Sequence, residues 1–286
     1  MPTLQAPDGA ELFYTIDDFT DPWHDADTVV MLHGNAESGE AWRAWVPHFA
    51  RRYKVLRVDT RGFGRSAPMP ADFPWTKQVL VDDLARITAS LGLKKFHVVA
   101  AKLGGTFALH FAAVRSELVQ SLCVIGVPAS PGRAFSASLP GWVAEMESKG
   151  VRSWAASTMR ARLGSRASDA HINWWSDFMG ATALSSQRGF MKMVAALDVA
   201  PDLPQIRCPT LVVTSTASPM WSVEGTQAWQ KKIPRSEFLV LESDSYHIAG
   251  SEPDEVAPRV RAFVDRHAST GSEAGGLINS RPRKST

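Results

Sequence analysis

The sequence has little cysteine, no long apolar run and no basic leader, and each absence excludes a class of protein. Its two cysteines, Cys123 and Cys208, lie in apolar surroundings without CxxC spacing or a nearby histidine cluster, so we expect two reduced core thiols and no metal site. No stretch reaches the roughly 18 apolar residues that a membrane span needs. The first residues, MPTLQAPDGAELFY, lack the basic start and apolar run of a secretory signal. We therefore expect a cytoplasmic protein outside the membrane.

The chain also has almost no net charge. The formal charge of +2 comes from the C-terminal end, where Arg281, Arg283 and Lys284 stand against Glu273. The remainder is neutral, so the sequence favours neither a nucleic-acid partner nor an anionic membrane surface. Residues 268–286 are rich in glycine, serine and charge and are predicted to form a disordered tail.

The most informative stretch runs from Phe96 to Val114, FHVVAAKLGGTFALHFAAV. An apolar run long enough for a buried strand is followed by a turn of small residues and then by apolar residues at helical spacing. This pattern predicts a strand, a sharp turn and a helix. A lysine, Lys102, stands in the turn and is followed by Gly104 and Gly105.

Apolar runs and helical patterns alternate along the rest of the chain, which predicts one α/β domain with an insertion. Strands are predicted at 3–6, 11–16, 28–32, 53–58, 120–125, 210–214 and 237–241, and helices at 77–91, 223–232 and 254–267. Between 128 and 200 the periodicity is helical, and we interpret this segment as a helical cap with an apolar, tryptophan-rich inner face.

Four motifs resemble, in order, those of the α/β-hydrolase superfamily. They are the HG-x loop at His33–Glu37, the D-x-R-G-x-G-x-S loop at Asp59–Ser66, the nucleophile elbow at Ala100–Gly105, and the histidine loop at Ser245–His247. The resemblance implies an α/β-hydrolase fold, with a mostly parallel, doubly wound sheet. It places 1–127 and 201–267 in the core and 128–200 in an inserted helical cap, which loosely resembles that of enol-lactonases and carbon–carbon-bond hydrolases.

Two of the three catalytic positions implied by this resemblance are changed. Lys102 replaces the serine nucleophile, and Ser218 replaces the acid in the segment that normally carries it, whereas His247 is kept. Ordinary acyl-serine chemistry is therefore not expected. Asp244 is the only acid close enough in sequence to replace the partner of His247, and it reads more simply as a solvent-facing loop residue.

Lys102 in this position would stand over a helix N-terminus and under an apolar lid, and both surroundings lower the pKa of an amine. A neutral Lys102 would attack a ketone or aldehyde to form an iminium, or abstract a proton as a general base. A pair with Glu37 would instead keep it protonated. The resemblance also implies an oxyanion hole made by the N–H of Leu103 and that of Asn35 or Ala36.

We predict a cofactor-independent enzyme that acts on a small apolar carbonyl compound, as a lyase, decarboxylase or isomerase, through Lys102 and His247. Two alternatives stand beside it: a lactone or ester hydrolase that activates water directly, and a non-catalytic ligand-binding protein. A homodimer formed through the cap or the sheet edge is compatible with the sequence. The candidate pocket residues are Glu37, Trp42, Trp174, Trp175, Ser218, Met220 and Trp221.

Overall fold

The structure, a computed structural model, describes residues 2–23 and 25–269, so nearly all of the predicted tail at 268–286 lies outside the described residues. The described residues form eight strands and eleven α-helices. The strands are β1 (Thr3–Gln5), β2 (Glu11–Asp17), β3 (Thr28–Leu32), β4 (Lys54–Val58), β5 (Phe96–Ala101), β6 (Val119–Ile125), β7 (Thr210–Ser215) and β8 (Ser236–Leu241). The helices are α1 (Val46–Phe49), α2 (Lys77–Ser90), α3 (Lys102–Val114), α4 (Pro131–Phe135), α5 (Leu139–Lys149), α6 (Val151–Leu163), α7 (Asp169–Gly180), α8 (Leu184–Ala195), α9 (Val223–Gln230), α10 (Ile248–Ser251) and α11 (Pro253–Asp265). Two 3-10 helices, Gly39–Trp42 and Ala200–Gln205, complete the set.

The eight strands form one sheet in the order β1-β2-β4-β3-β5-β6-β7-β8. β2 pairs antiparallel with β1 and β4, and every other pairing is parallel. Strands β3 and β5 are buried along their whole length, which matches their continuous apolar sequences and is typical of parallel strands covered on both faces. The predicted α/β architecture, a mostly parallel sheet flanked by helices, is confirmed.

Apolar side chains form a cluster on each face of the sheet. One cluster contains residues of α2 and α3 together with residues of α5, α6 and α8. The other contains Phe49 of α1 and Val256, Val260 and Phe263 of α11. Both faces of the sheet are thus covered, and the apolar exposure of its strands is confined to Ile16 of β2 and Val240 of β8 among the large apolar side chains that the structure describes.

The helices α4–α8 all lie between β6 and β7 in the chain. We refer to α4–α8 as the inserted helices. Trp154 and Met159 of α6 and Met179 of α7 are fully buried among them. Among the described residues, no helix is long and apolar enough to cross a membrane.

The strand ends decide where functional side chains gather. β3 ends immediately before His33, β5 ends immediately before Lys102, and His247 follows β8 after a short loop. Because the carboxyl ends of parallel strands meet at one edge of a sheet, these segments converge there. This edge is where a site is expected in an open α/β sheet.

Candidate active site

The turn between β5 and α3 is as sharp as the sequence predicts. Lys102 has a φ of 52°, in the left-handed region that side-chain-bearing residues rarely adopt. A Cβ at Gly104 would lie 2.1 Å from the carbonyl oxygen of His33, and one at Gly105 would lie 2.2 Å from Cγ2 of Val127. Both glycines are therefore required for α3 to approach its neighbours. The turn places Lys102 at the carboxyl edge of the sheet.

Lys102 is ion-paired to a buried carboxylate. Its Nζ lies 2.6 Å from Oε1 of Glu37, and the Lys102 residue is only 4% exposed. The Nε2 of His247 lies 3.3 Å from the same oxygen. The other oxygen of Glu37, Oε2, accepts a hydrogen bond of 2.8 Å from the N–H of Gly34. Glu37 therefore stands between the amine and the imidazole, a contact that the sequence left open.

Burial and neighbouring charge set the protonation states of these three groups. Burial opposes ionisation of Glu37, but the charges of Lys102 and His247 hold its pKa well below the usual range. Burial lowers the pKa of Lys102 to about 8, assisted by the charge of Arg162 and opposed by Glu37. Burial and the charge of Lys102 lower the pKa of His247 to about 4. Near neutral pH the carboxylate is charged, the amine is mostly protonated and the imidazole is neutral.

The loop that carries His247 is attached to the end of α6. The N–H of His247 donates to the carbonyl oxygen of Arg162 at 3.0 Å, and the hydroxyl of Ser245 donates to the same oxygen at 2.7 Å. The carboxylate of Asp244 accepts from the N–H of Ser165 at 3.0 Å. The ring of Trp175 packs edge-on against the imidazole at 4.9 Å. These contacts fix the ring of His247 next to Glu37.

The partner of His247 differs from the one that sequence proximity offered. Asp244 caps the start of the loop after α6 instead of contacting the imidazole. Ser218 accepts hydrogen bonds from the backbone N–H groups of Met220 and Trp221 and so closes its own turn. Within the described residues neither ring nitrogen of His247 has a hydrogen bond of good geometry. Glu37 is the acid at ion-pair distance from the ring, with its Oε1 3.3 Å from Nε2.

Two of the three candidate oxyanion-hole residues line the same cavity as the amine. Leu103 is the second residue of α3, so its N–H has no carbonyl one turn earlier to bond. Asn35 lines the cavity beside Lys102, and within the described residues its Oδ1 is buried without a hydrogen-bond partner. Ala36 is fully buried with a φ of 57°. Leu103 and Asn35 thus border the cavity, and the oxyanion hole itself stays a prediction.

A small cavity lies directly over Lys102 and is roofed by the inserted helices. Its walls are mainly aromatic, and they include Phe135, Trp142, Trp154 and Trp221. Apart from Lys102, the charged residue in the wall is Arg162. A second small cavity lies between the sheet and α2–α3, but its Arg61 and Asp83 are bound to each other. The cavity over Lys102 is therefore the candidate substrate site.

The structure corrects the predicted pocket at four positions. Trp42 packs against Trp45 on the opposite face of the sheet, at 5.0 Å between ring centroids. Trp174 stacks on Phe178 at 5.0 Å. Ser218 and Met220 form a turn outside the cavity wall. Trp221 does line the cavity, and Trp175 and Glu37 contact His247.

The sequence interpretation missed two polar wall residues, Arg162 and Tyr246. A helical signal for Arg162 was present, because Trp154, Thr158 and Arg162 are spaced four apart and share one face of α6. Arg160 lies on another face, where it is paired with Asp169 and exposed. Tyr246 directly precedes His247, and nothing in the sequence indicated that its side chain also enters the cavity.

Comparison with known proteins agrees with the geometry. The family model described as the alpha/beta hydrolase fold matches residues 27–170. The chain is 24% identical to a putative carbamate hydrolase RutD of Caulobacter sp. (strain K31), over 86% of this chain and 94% of the relative. It is also 24% identical to a pimeloyl-(acyl-carrier protein) methyl ester esterase of Aeromonas hydrophila subsp. hydrophila, over 82% of this chain and 94% of the relative.

Solved structures of similar proteins share the fold. The enol-lactonase from Burkholderia xenovorans LB400 superposes with a TM-score of 0.83 at 19% identity, covering 92% of this chain and all of that one. A thermophilic esterase from Thermogutta terrifontis also gives a TM-score of 0.83, at 21% identity, covering 94% of this chain and all of that one. At such identities the likeness is one of fold.

Proposed function

This chain belongs to the α/β-hydrolase fold family, and from that premise we propose that it hydrolyses small acyl compounds, such as esters or lactones, with water activated by Lys102. The proposal is carried by one observation: the residue at the elbow is a buried amine that borders the cavity and has a pKa lowered to about 8. A base whose pKa lies near the working pH is well suited to proton transfer. The relatives described above are hydrolases by name.

Direct attack by Lys102 on an ester would not support turnover. It would leave an amide on Nζ, which resists hydrolysis more than the ester that was cleaved. In the proposed step, a water molecule transfers a proton to the neutral amine while its oxygen attacks the carbonyl carbon. The resulting ammonium is stabilised by Glu37 at 2.6 Å, and the proton later passes to the leaving alkoxide. The N–H groups of Leu103 and Asn35 would stabilise the tetrahedral oxyanion.

His247 has a different role in this scheme from that of a triad histidine. Because its pKa is lowered to about 4, the ring is neutral near pH 7 and is a weak base. It stands 3.3 Å from the oxygen of Glu37 that also holds Lys102. The neutral ring would hydrogen-bond the attacking water and keep the carboxylate in place.

A second candidate follows from the same lowered pKa. A neutral Lys102 would form an iminium with a ketone or aldehyde and so support lyase, decarboxylase or isomerase chemistry. The pair with Glu37 counts against it, since the carboxylate favours the protonated amine. Hydrolysis also needs the neutral amine as base, but the ammonium that the proton transfer forms is stabilised directly by this pair.

The experiment is a pH profile of hydrolysis for nitrophenyl esters and simple lactones between pH 6 and 10. We expect the rate to rise with pH through about 8, the pKa of Lys102. Lys102→Met should lose about 100-fold or more, a usual contribution of a general base. Lys192→Met is the matched control, because Lys192 is exposed on α8, whose Met191 borders the same cavity.

Mass spectrometry separates the candidates. Intact protein should carry no covalent adduct during ester turnover. Borohydride trapping with ketones that adds mass at Lys102 would favour the iminium route instead. Full activity in Lys102→Met would exclude both routes, and tight binding without any product would identify a ligand-binding protein.

A further inference from the structure

Arg162 is a buried cation that no acid in the described part of the chain neutralises. It lies near the end of α6, is 4% exposed and borders the cavity over Lys102. Its Nε donates to the hydroxyl of Thr158 at 3.0 Å. Among residues 2–23 and 25–269, no carboxylate lies within 4.0 Å of its guanidinium. An arginine stays protonated at any relevant pH, so this charge cannot be removed by titration.

Aromatic rings hold the guanidinium instead. Its central carbon lies 4.9 Å from the centre of the Trp154 ring and 5.7 Å from that of Tyr246. Arg162 also opposes the rise in pKa that burial causes at the Tyr246 hydroxyl, so the two groups interact. A phenol and an indole supply no negative charge at neutral pH. The planar donor fork therefore faces a cavity with neutral partners only.

A second buried arginine among the described residues, Arg61, shows what Arg162 lacks. Arg61 is 3% exposed, and it binds Asp83 at 2.7 Å and Asp8 at 2.6 Å. The usual rule, that a buried charge is paired, is thus obeyed at Arg61 and broken at Arg162. The nearest acid in the site, Glu37, is already bound to Lys102. Near neutral pH, the site carries one positive charge more than negative.

We propose that Arg162 binds a carboxylate of the substrate, so that the substrate is a small acyl compound carrying an anionic group at one end. A guanidinium presents two parallel N–H donors that match a carboxylate, and aromatic walls suit the apolar body between the carboxylate and the scissile carbonyl. This anion-binding role rests on the proposed function, because it assumes that the cavity over Lys102 takes the substrate. The carboxylate at Arg162 would orient the carbonyl towards Lys102.

The binding test uses benzoate as the anionic probe and benzamide as its neutral counterpart. Binding is followed by the fluorescence of the wall tryptophans Trp142, Trp154 and Trp221. We expect benzoate to bind and benzamide to bind at least about tenfold more weakly, since a hydrogen bond to a charged group is lost. Arg162→Met should weaken benzoate binding about 10- to 100-fold and leave benzamide unchanged.

Two further variants control this test. Arg160→Met removes an exposed arginine of the same helix and should leave benzoate binding unchanged. Arg162→Lys keeps the charge without the fork and should bind benzoate with intermediate affinity. A melting temperature of Arg162→Met equal to or above that of the wild type shows that it folds, as expected when an unpaired buried charge is replaced by an apolar side chain. Equal affinity for benzoate in Arg162→Met and the wild type would overturn the proposal.

Turnover separates this inference from the function beneath it. For paired esters with and without a terminal carboxylate, Arg162→Met should raise KM for the anionic ester only. Hydrolysis of neutral esters with no preference for anionic ones would overturn the anion site and leave the hydrolase. Benzoate binding that depends on Arg162 without any hydrolysis would overturn the hydrolase and leave the anion site.

Discussion

Replacing Glu37 by glutamine tests whether this carboxylate sets the protonation state of Lys102. Glutamine keeps the shape of the side chain and removes the negative charge that lies 2.6 Å from Nζ. An adjacent opposite charge shifts a pKa by about 1–3 units towards the charged form. Without it, burial and Arg162 act unopposed, and the pKa of Lys102 should fall from about 8 to between about 5 and 7.

The same shift appears in the pH dependence of folding stability. In the wild type the pKa of Lys102 is about 8 when folded and near its ordinary value of 10.5 when unfolded. The unfolded state therefore binds more protons between these values, so this group makes stability rise with pH across that window. Below pH 8 the buried amine costs about 3 kcal/mol. In Glu37→Gln the pH range over which stability rises extends down to between about pH 5 and 7. At the lower end of this range the free-energy cost of burying the protonated amine grows by about 1–4 kcal/mol.

Urea unfolding of Glu37→Gln between pH 6 and 10 measures this pH dependence of the free energy of unfolding. Lys102→Met and the double variant complete a double-mutant cycle. We expect Glu37→Gln to destabilise the protein much less when Lys102 is already methionine. In the hydrolysis assay the rising limb near pH 8 should move down by about 1–3 pH units. A limb that stays at pH 8, or a coupling energy near zero, would refute the account of the pair.

Three further pairs of substitutions test the fold. Gly104→Ala should lower the free energy of unfolding by about 3 kcal/mol or prevent folding, because its Cβ would meet a backbone oxygen at 2.1 Å, whereas Gly141→Ala in α5, with nothing within 4 Å, should raise it by about 0.5–1 kcal/mol in urea unfolding. Asp83→Ala should cost about 3–5 kcal/mol because it breaks the buried pair with Arg61, and Asp8→Ala, at a side chain 44% exposed, should cost under about 1 kcal/mol; similar losses would contradict the burial argument. Lys102→Gly should be about 1 kcal/mol more stable than Lys102→Ala in thermal melts, since only glycine relieves the φ of 52°, and equal stabilities would show that the turn is unstrained.

The main strands, the turn at Lys102 and the sheet type were predictable from the sequence because each has a local cause. Continuous apolar runs mark β3 and β5, and the glycines after Lys102 mark a close approach of α3. These signals act within a few residues. The family resemblance then implied a mostly parallel, doubly wound sheet, whereas the order of its strands came from the structure.

The contact between Glu37 and Lys102 was not predictable, although both residues were candidates. They are 65 positions apart in the chain, so no local pattern joins them, and Ala36, directly before Glu37, adopts a left-handed φ of 57°. The pocket prediction for Trp42 was wrong for a related reason. Trp42 and Trp221 look alike as sequence, and only the face of the sheet on which each loop lands separates a core ring from a cavity wall.

The attachment of α6 to the loop of His247 has a consequence for how ligand enters. Two hydrogen bonds at the Arg162 carbonyl and one between Asp244 and Ser165 join the roof of the cavity to the loop that holds the imidazole. A movement that lifted α6 would therefore carry His247 away from Glu37 and Arg162 away from the proposed anion site. The active site would therefore be incomplete while the molecule is open. Closure over an entering ligand would also bring the site residues together.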